Sequence, residues 1–91
     1  MLQIHWKADA RKDLLSILGF IGNDNPEAAR KLKVDLESRV DGLLEFPKAY
    51  KSGRVAGTRE MVLSANYIVV YAESSDQIII LRILHSARMY P

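Results

Sequence analysis

Apolar and polar positions change period along this chain, and each change marks an element. Leu2, Ile4 and Trp6 alternate with Gln3, His5 and Lys7, the period of two that gives a short strand one buried face. A strand is therefore predicted over residues 2–6. From Asp9 onward Leu14, Ile17, Leu18 and Ile21 recur at the spacing of one helix face, with Asp13 near the positive N-terminal end. This helix is predicted to end near Gly22, a residue suited to a left-handed cap, before the turn formers Asn23, Asp24 and Asn25. Asn25 can cap a second helix, and Pro26 has φ preset for the first helical position. Ala29, Leu32, Leu36, Val40 and Leu43 then form one apolar stripe, with Arg30, Lys33, Glu37 and Asp41 on other faces. Pro47 is predicted to stop it. The short connection between the helices makes them antiparallel neighbours.

After Pro47 the period is that of strands. Arg54-Val55, Arg59 to Ser64, Tyr67 to Glu73 and Gln77 to Leu84 are predicted to be extended, with Asn66 and Ser74-Ser75-Asp76 at the turns. Connections this short join antiparallel strands, because a parallel crossover needs many more residues. The run Ile78 to Leu84 is almost wholly apolar, as in a strand buried on both faces, and the N-terminal strand is expected to pair beside it. The fold class is α+β. An antiparallel helical hairpin packs on one face of a mainly antiparallel four- to five-stranded sheet, leaving the other face without a helix.

At 91 residues the chain fits a single domain spanning 1–91, with no repeat, linker or low-complexity segment. It contains 48% hydrophobic and 26% charged residues, proportions of an ordinary globular protein, and no run approaches a membrane span. With no cysteine, and two histidines far apart without acidic neighbours at ligand spacing, no metal or other cofactor is expected. The first residues show no secretion leader, so the expected compartment is the cytoplasm. The formal charge of +2 is unevenly spread: residues 48–91 carry six Lys/Arg against three Asp/Glu, whereas residues 1–47 carry seven against eight. A basic second half points toward an acidic partner or nucleic acid.

Certain residues recur along the chain in an order that resembles one family. They are Asp13-Leu14 with Ile17 and Phe20-Ile21, Asn25-Pro26 with Ala28-Ala29, Pro47, Arg54-Val55 with Gly57-Thr58-Arg59-Glu60, Asn66 to Tyr71, and Leu81 to Arg88. In this order they resemble the RelE/ParE superfamily, toxins of type II toxin–antitoxin systems. The resemblance implies a growth inhibitor held harmless in a hetero-oligomer by a cognate antitoxin, whose extended or helical tail wraps the helical hairpin and sheet edge.

Two mechanisms divide that superfamily. ParE relatives poison DNA gyrase by contact, whereas RelE relatives are metal-independent endoribonucleases that cleave messenger RNA on the ribosome. A ribonuclease needs a base, an acid and cations for the phosphate. The candidates here are His85, Arg82, Glu60 and Tyr90 for catalysis, with Arg54, Arg59, Arg82 and Arg88 as target- or phosphate-binding groups. Structural roles compete with each of these: Arg82 pairing with Glu60 or Glu73, His85 bonding the backbone, Arg59-Glu60 as an exposed strand pair, Tyr67 and Tyr71 as packing residues. Trp6 is expected in the core. The turn before Tyr67 offers Leu63, Ser64 and Ala65 where RelE relatives place a catalytic cation, and no basic C-terminal helix follows. The helix lengths, the Asn25-Pro26 turn and the Gly57-to-Glu60 station favour the ParE side. The alternatives to gyrase are the ribosome with its messenger, and an inert antitoxin-binding module.

Overall fold

The computed structural model describes residues 2–64 and 66–86. Strand β1 (Gln3–Trp6) leads into α1 (Ala8–Asp24) and α2 (Pro26–Gly42), followed by β2 (Lys51–Ser52), β3 (Arg59–Val62), β4 (Tyr67–Glu73) and β5 (Gln77–His85). The five strands form one sheet in the order β1-β5-β4-β3-β2. All neighbours are antiparallel except β1 and β5, which run parallel from Gln3 opposite Gln77 to Trp6 opposite Ile80. That parallel pair requires a long crossover, and the helical hairpin is part of it.

The turn between the helices is tighter than the sequence suggests. Gly22, Asn23 and Asp24 remain helical, and Asn25 alone separates α1 from α2. Its N–H still donates to the Ile21 carbonyl, closing α1, while its Oδ1 accepts from Ala28 N–H at 3.0 Å, opening α2. Pro26 ends α1 sterically by forcing the preceding residue out of the helical region, and Asn25 accordingly has φ −149° and ψ 87°. Gly22 is therefore not a left-handed cap. A Cβ there would meet Ala29 Cβ at 3.7 Å, so the helices run close at this end.

The stripe on α2 is buried as the sequence predicts: Leu36, Val40 and the following Leu43 are inaccessible, and Leu32 packs partly against them. Regular helix ends at Gly42 rather than Pro47, because the chain tightens into short-range turns that tie Leu43 to Val40 and Leu44 to Asp41. On the sheet side the core comprises Met61, Leu63, Val69, Tyr71, Ile78, Ile80 and Ile83, with Ile4 and Trp6 packed at its border. Each fully buried apolar side chain of this kind contributes about 1.5–3 kcal/mol relative to exposure.

Strand β5 changes face midway. Tyr71 lies opposite Ile80 and Val70 opposite Arg82, which leaves Leu81 as an extra residue. This bulge lets Ile78 and Ile80 join the helix-side core before it, and Ile83 after it. Arg54 and Val55 are not in a strand. They lie in the connection between β2 and β3, where Gly53 N–H donates to Thr58 O and Thr58 N–H to Val55 O. The sheet face without helices is less open than expected. Val70 and Leu84 stand outside the helix-side cluster yet are buried, whereas Val62 is half exposed.

Candidate functional site

Two clusters of charged residues and one groove stand out, and the chain reaches each through a different element. The first cluster forms where β1 stops. Beyond Ile80, β5 has no β1 residue opposite it, and Asp13, one and a half turns into α1, fills that role. Its Oδ2 accepts from the Ile83 backbone N–H at 2.9 Å and from Arg82 Nε at 2.7 Å, while Oδ1 accepts from an Arg82 terminal nitrogen at 3.1 Å. Arg82 thus pairs with Asp13 and not with Glu60 or Glu73, because the strand edge it reaches is the one that α1 crosses. Three residues further along β5, His85 is exposed at the end of the strand with its ring edge-on to Tyr67, centroids 5.5 Å apart.

The second cluster is at the other side of the sheet. Arg59 and Glu60 are consecutive in β3, so they point to opposite faces and cannot pair with each other. Arg59 Nε donates to Glu73 at 2.8 Å and its Nη1 to the Tyr50 carbonyl at 2.8 Å. Glu60 is buried. Its Oε2 accepts the Arg54 backbone N–H at 2.9 Å, and the Arg54 side chain approaches the same oxygen at 3.9 Å. Two glycines make this connection possible. A Cβ on Gly53 would fall 2.3 Å from Thr58 Oγ1, and Gly57 has φ +81°, in the left-handed region.

Arg39 and Tyr50, which sequence reasoning did not single out, bind the same region to α2. Arg39 donates to Leu63 O at 3.0 Å and to the Tyr50 hydroxyl at 3.3 Å, its guanidinium 5.9 Å from the Tyr50 ring centre. A lone arginine in the last turn of an amphipathic helix reads as a solvated charge, so the sequence carries no signal of these contacts. Tyr71 is a packing residue, as expected, and its hydroxyl donates to Pro47 O at 2.8 Å. Burial raises its pKa above the usual phenol value, and the Arg59 charge opposes that rise in part.

The groove lies between the helices and β1. It encloses about 650 Å³, with apolar Ile4, Trp6, Leu14, Leu15 and Val40 and the charged Arg11, Glu37 and Asp41 along it. Trp6 is thus a border residue, half-buried and facing this groove. Leu15 is 71% exposed here, and Phe20 on the same helix is 75% exposed. Of the candidates predicted from sequence, the structure brings Arg54, Arg59 and Glu60 to one side of the sheet and Arg82 and His85 to the far end of β5. It does not gather them into one pocket. Arg88 and Tyr90, like Ala65 in the turn before Tyr67, lie outside the described residues.

Comparison with known proteins places this arrangement. A curated relative, toxin RelE2 of Caulobacter vibrioides, is 34% identical over 91 residues, covering 98% of this chain and all of the relative (100%). The Sinorhizobium fredii protein Y4kP is likewise 34% identical, over 98% of this chain and 93% of its own. Among solved structures, the chromosomal ParDE toxin–antitoxin system of P. aeruginosa superposes with a TM-score of 0.82 at 26% identity, covering 93% of this chain and 96% of that one. The family described as "ParE toxin of type II toxin-antitoxin system, parDE" matches residues 4–90. This chain, a helical hairpin crossing a five-stranded sheet, therefore belongs to the ParE toxin family, within the RelE/ParE superfamily of type II toxins.

Proposed function

We propose that this toxin acts in the cytoplasm by binding DNA gyrase and trapping it on cleaved DNA, and that a cognate antitoxin neutralises it by occupying the groove between α1, α2 and β1. The observation that carries the gyrase reading is the state of Arg82. A metal-free nuclease would need that cation for the scissile phosphate, yet it is held by both oxygens of Asp13. Glu60, the candidate acid or base, is likewise buried beneath the Arg54 backbone. A contact inhibitor needs neither group at a reacting atom. Membership of the ParE family supports the same choice.

The groove supports the antitoxin partner. Its apolar lining and the exposed Leu15 suit the apolar face of an amphipathic helix, and Arg11, Glu37 and Asp41 offer charges to its flanks.

The test is supercoiling of relaxed plasmid by gyrase, with ATP and with toxin freed of antitoxin. Inhibition is expected, with linear DNA released on denaturing the complex, and added antitoxin should reverse it. If gyrase is untouched by a toxin that still binds antitoxin, while ribosome-bound messenger is cut, the RelE-type mechanism replaces this one.

A further inference from the structure

The protein's excess positive charge is concentrated in one segment. Residues 46–59 contain Lys48, Lys51, Arg54 and Arg59 and no carboxylate, so the rest of the chain, with nine Lys/Arg against eleven Asp/Glu, is net acidic. This segment includes β2, the outermost strand of the sheet. Arg59 points inward to Glu73 and the Tyr50 carbonyl. Lys48, Lys51 and Arg54 are exposed. Among the described residues neither Lys48 nor Lys51 forms an ion pair. Lys51 lies opposite Glu60 in the ladder, but that carboxylate is buried and already accepts from the Arg54 N–H.

The segment is also held in place before any ligand arrives. Arg39 and Arg59 grip Tyr50 from two sides, at its hydroxyl and at its carbonyl, and Glu60 and Thr58 close the connection after β2. Lys51 lies on β2 itself, with Lys48 before it and Arg54 in the connection after it, and the bonds just described fix the backbone that carries them, so little backbone ordering entropy is lost when they meet an anion. We infer that this edge contacts the phosphate backbone of duplex DNA. The inference rests on the gyrase reading, which brings the toxin beside a DNA duplex, and it supplies a contact that the reading by itself does not. Single-stranded RNA is the competing ligand, since such sites stack bases on rings beside their cations: Tyr50 lies beneath Arg39, but Phe46 at the start of this segment is 65% exposed, so the experiment includes RNA as a comparison.

Contacts of this kind are sequence-independent and release about 0.9 counterion per phosphate, so three of them give a slope near −2.7 in log affinity against log salt. The experiment is fluorescence anisotropy of a labelled 20-base-pair duplex with antitoxin-free toxin, titrated from about 25 to 200 mM salt, in the absence of gyrase. The expected wild-type slope is about −2.7, and the combined variant Lys48→Gln, Lys51→Gln, Arg54→Gln should bind at least about tenfold more weakly at low salt with a slope near zero. Because Arg54 also approaches Glu60, the pair Lys48→Gln, Lys51→Gln is measured alongside and should retain a slope near −0.9. Circular dichroism and antitoxin binding check that both variants fold. Equal binding by wild type and triple variant overturns the inference, as does tighter binding of single-stranded RNA of the same length. Because gyrase is absent, a wild-type toxin that fails to inhibit supercoiling sinks the gyrase reading without altering this slope.

Discussion

Asp13 shows how one side chain can be read in two ways. Its place early in a helix suggests a carboxylate set against the helix dipole, but in the fold its stronger partners come from 69 and 70 residues away, Arg82 and the Ile83 N–H. Charge-assisted hydrogen bonds of this kind contribute about 1.5–3 kcal/mol, and the Arg82 side chain is 38% exposed, so solvent screens part of that. Asp13→Asn keeps an acceptor for Ile83 but loses the charge, and should lower stability by about 1 kcal/mol. Asp13→Ala also orphans the backbone donor and should cost about 2–3 kcal/mol. Urea denaturation at pH 7 checks both. Equal losses would mean that the Ile83 N–H finds another partner.

The helical hairpin depends on Asn25 more than on either helix alone. With no other residue between α1 and α2, this one side chain caps α2 while its own N–H completes α1. Asn25→Ala removes the acceptor for the Ala28 N–H, and a loss of about 1 kcal/mol is expected. Asn25→Asp, which keeps the acceptor and adds a negative charge at the N-terminus of α2, should hold stability at or slightly above wild type. Thermal melts of the two variants distinguish capping from a general intolerance of the turn. The edge segment around β2 behaves differently. Its two-residue strand has few ladder bonds, and its shape comes from Glu60, Arg59 and Arg39, which hold it from β3 and α2.

At the scale of the molecule, chemistry is divided between two sides. The apolar groove is made by α1, α2 and β1, whereas the basic edge belongs to β2 and its connections at the opposite end of the strand order. An antitoxin helix in the groove would therefore leave the basic edge uncovered unless its chain continues across the sheet. Leu15→Glu places a charge in the groove at a side chain that is already solvated, so it should change stability by no more than about 0.5 kcal/mol. On the proposed function it should weaken antitoxin binding at least about tenfold, one such factor being about 1.4 kcal/mol. Isothermal titration against the antitoxin checks this, and unchanged affinity would move the antitoxin's anchor elsewhere.

Most of the architecture was legible in the chain because periodicity is a local property. The alternation of Leu2 to Trp6, the stripe from Ala29 to Leu43, the Asn25-Pro26 start and the apolar run of β5 each reflect contacts that any fold must satisfy, and together they define the helical hairpin on a sheet. The ordered set of family residues was legible as well, and it pointed to the toxin superfamily to which the chain belongs. Tertiary structure decided what those patterns leave free. That Gly22 stays helical, that Leu81 is a bulge, and that Arg54-Val55 is a connection rather than a strand follow from how neighbouring strands and helices meet. So do the partners of Arg82, Arg59 and Glu60. A charged side chain has no periodic signature of its partner: whether it meets solvent, a target or a distant carboxylate is set by which strand edge the fold leaves unpaired, and only the folded chain determines that.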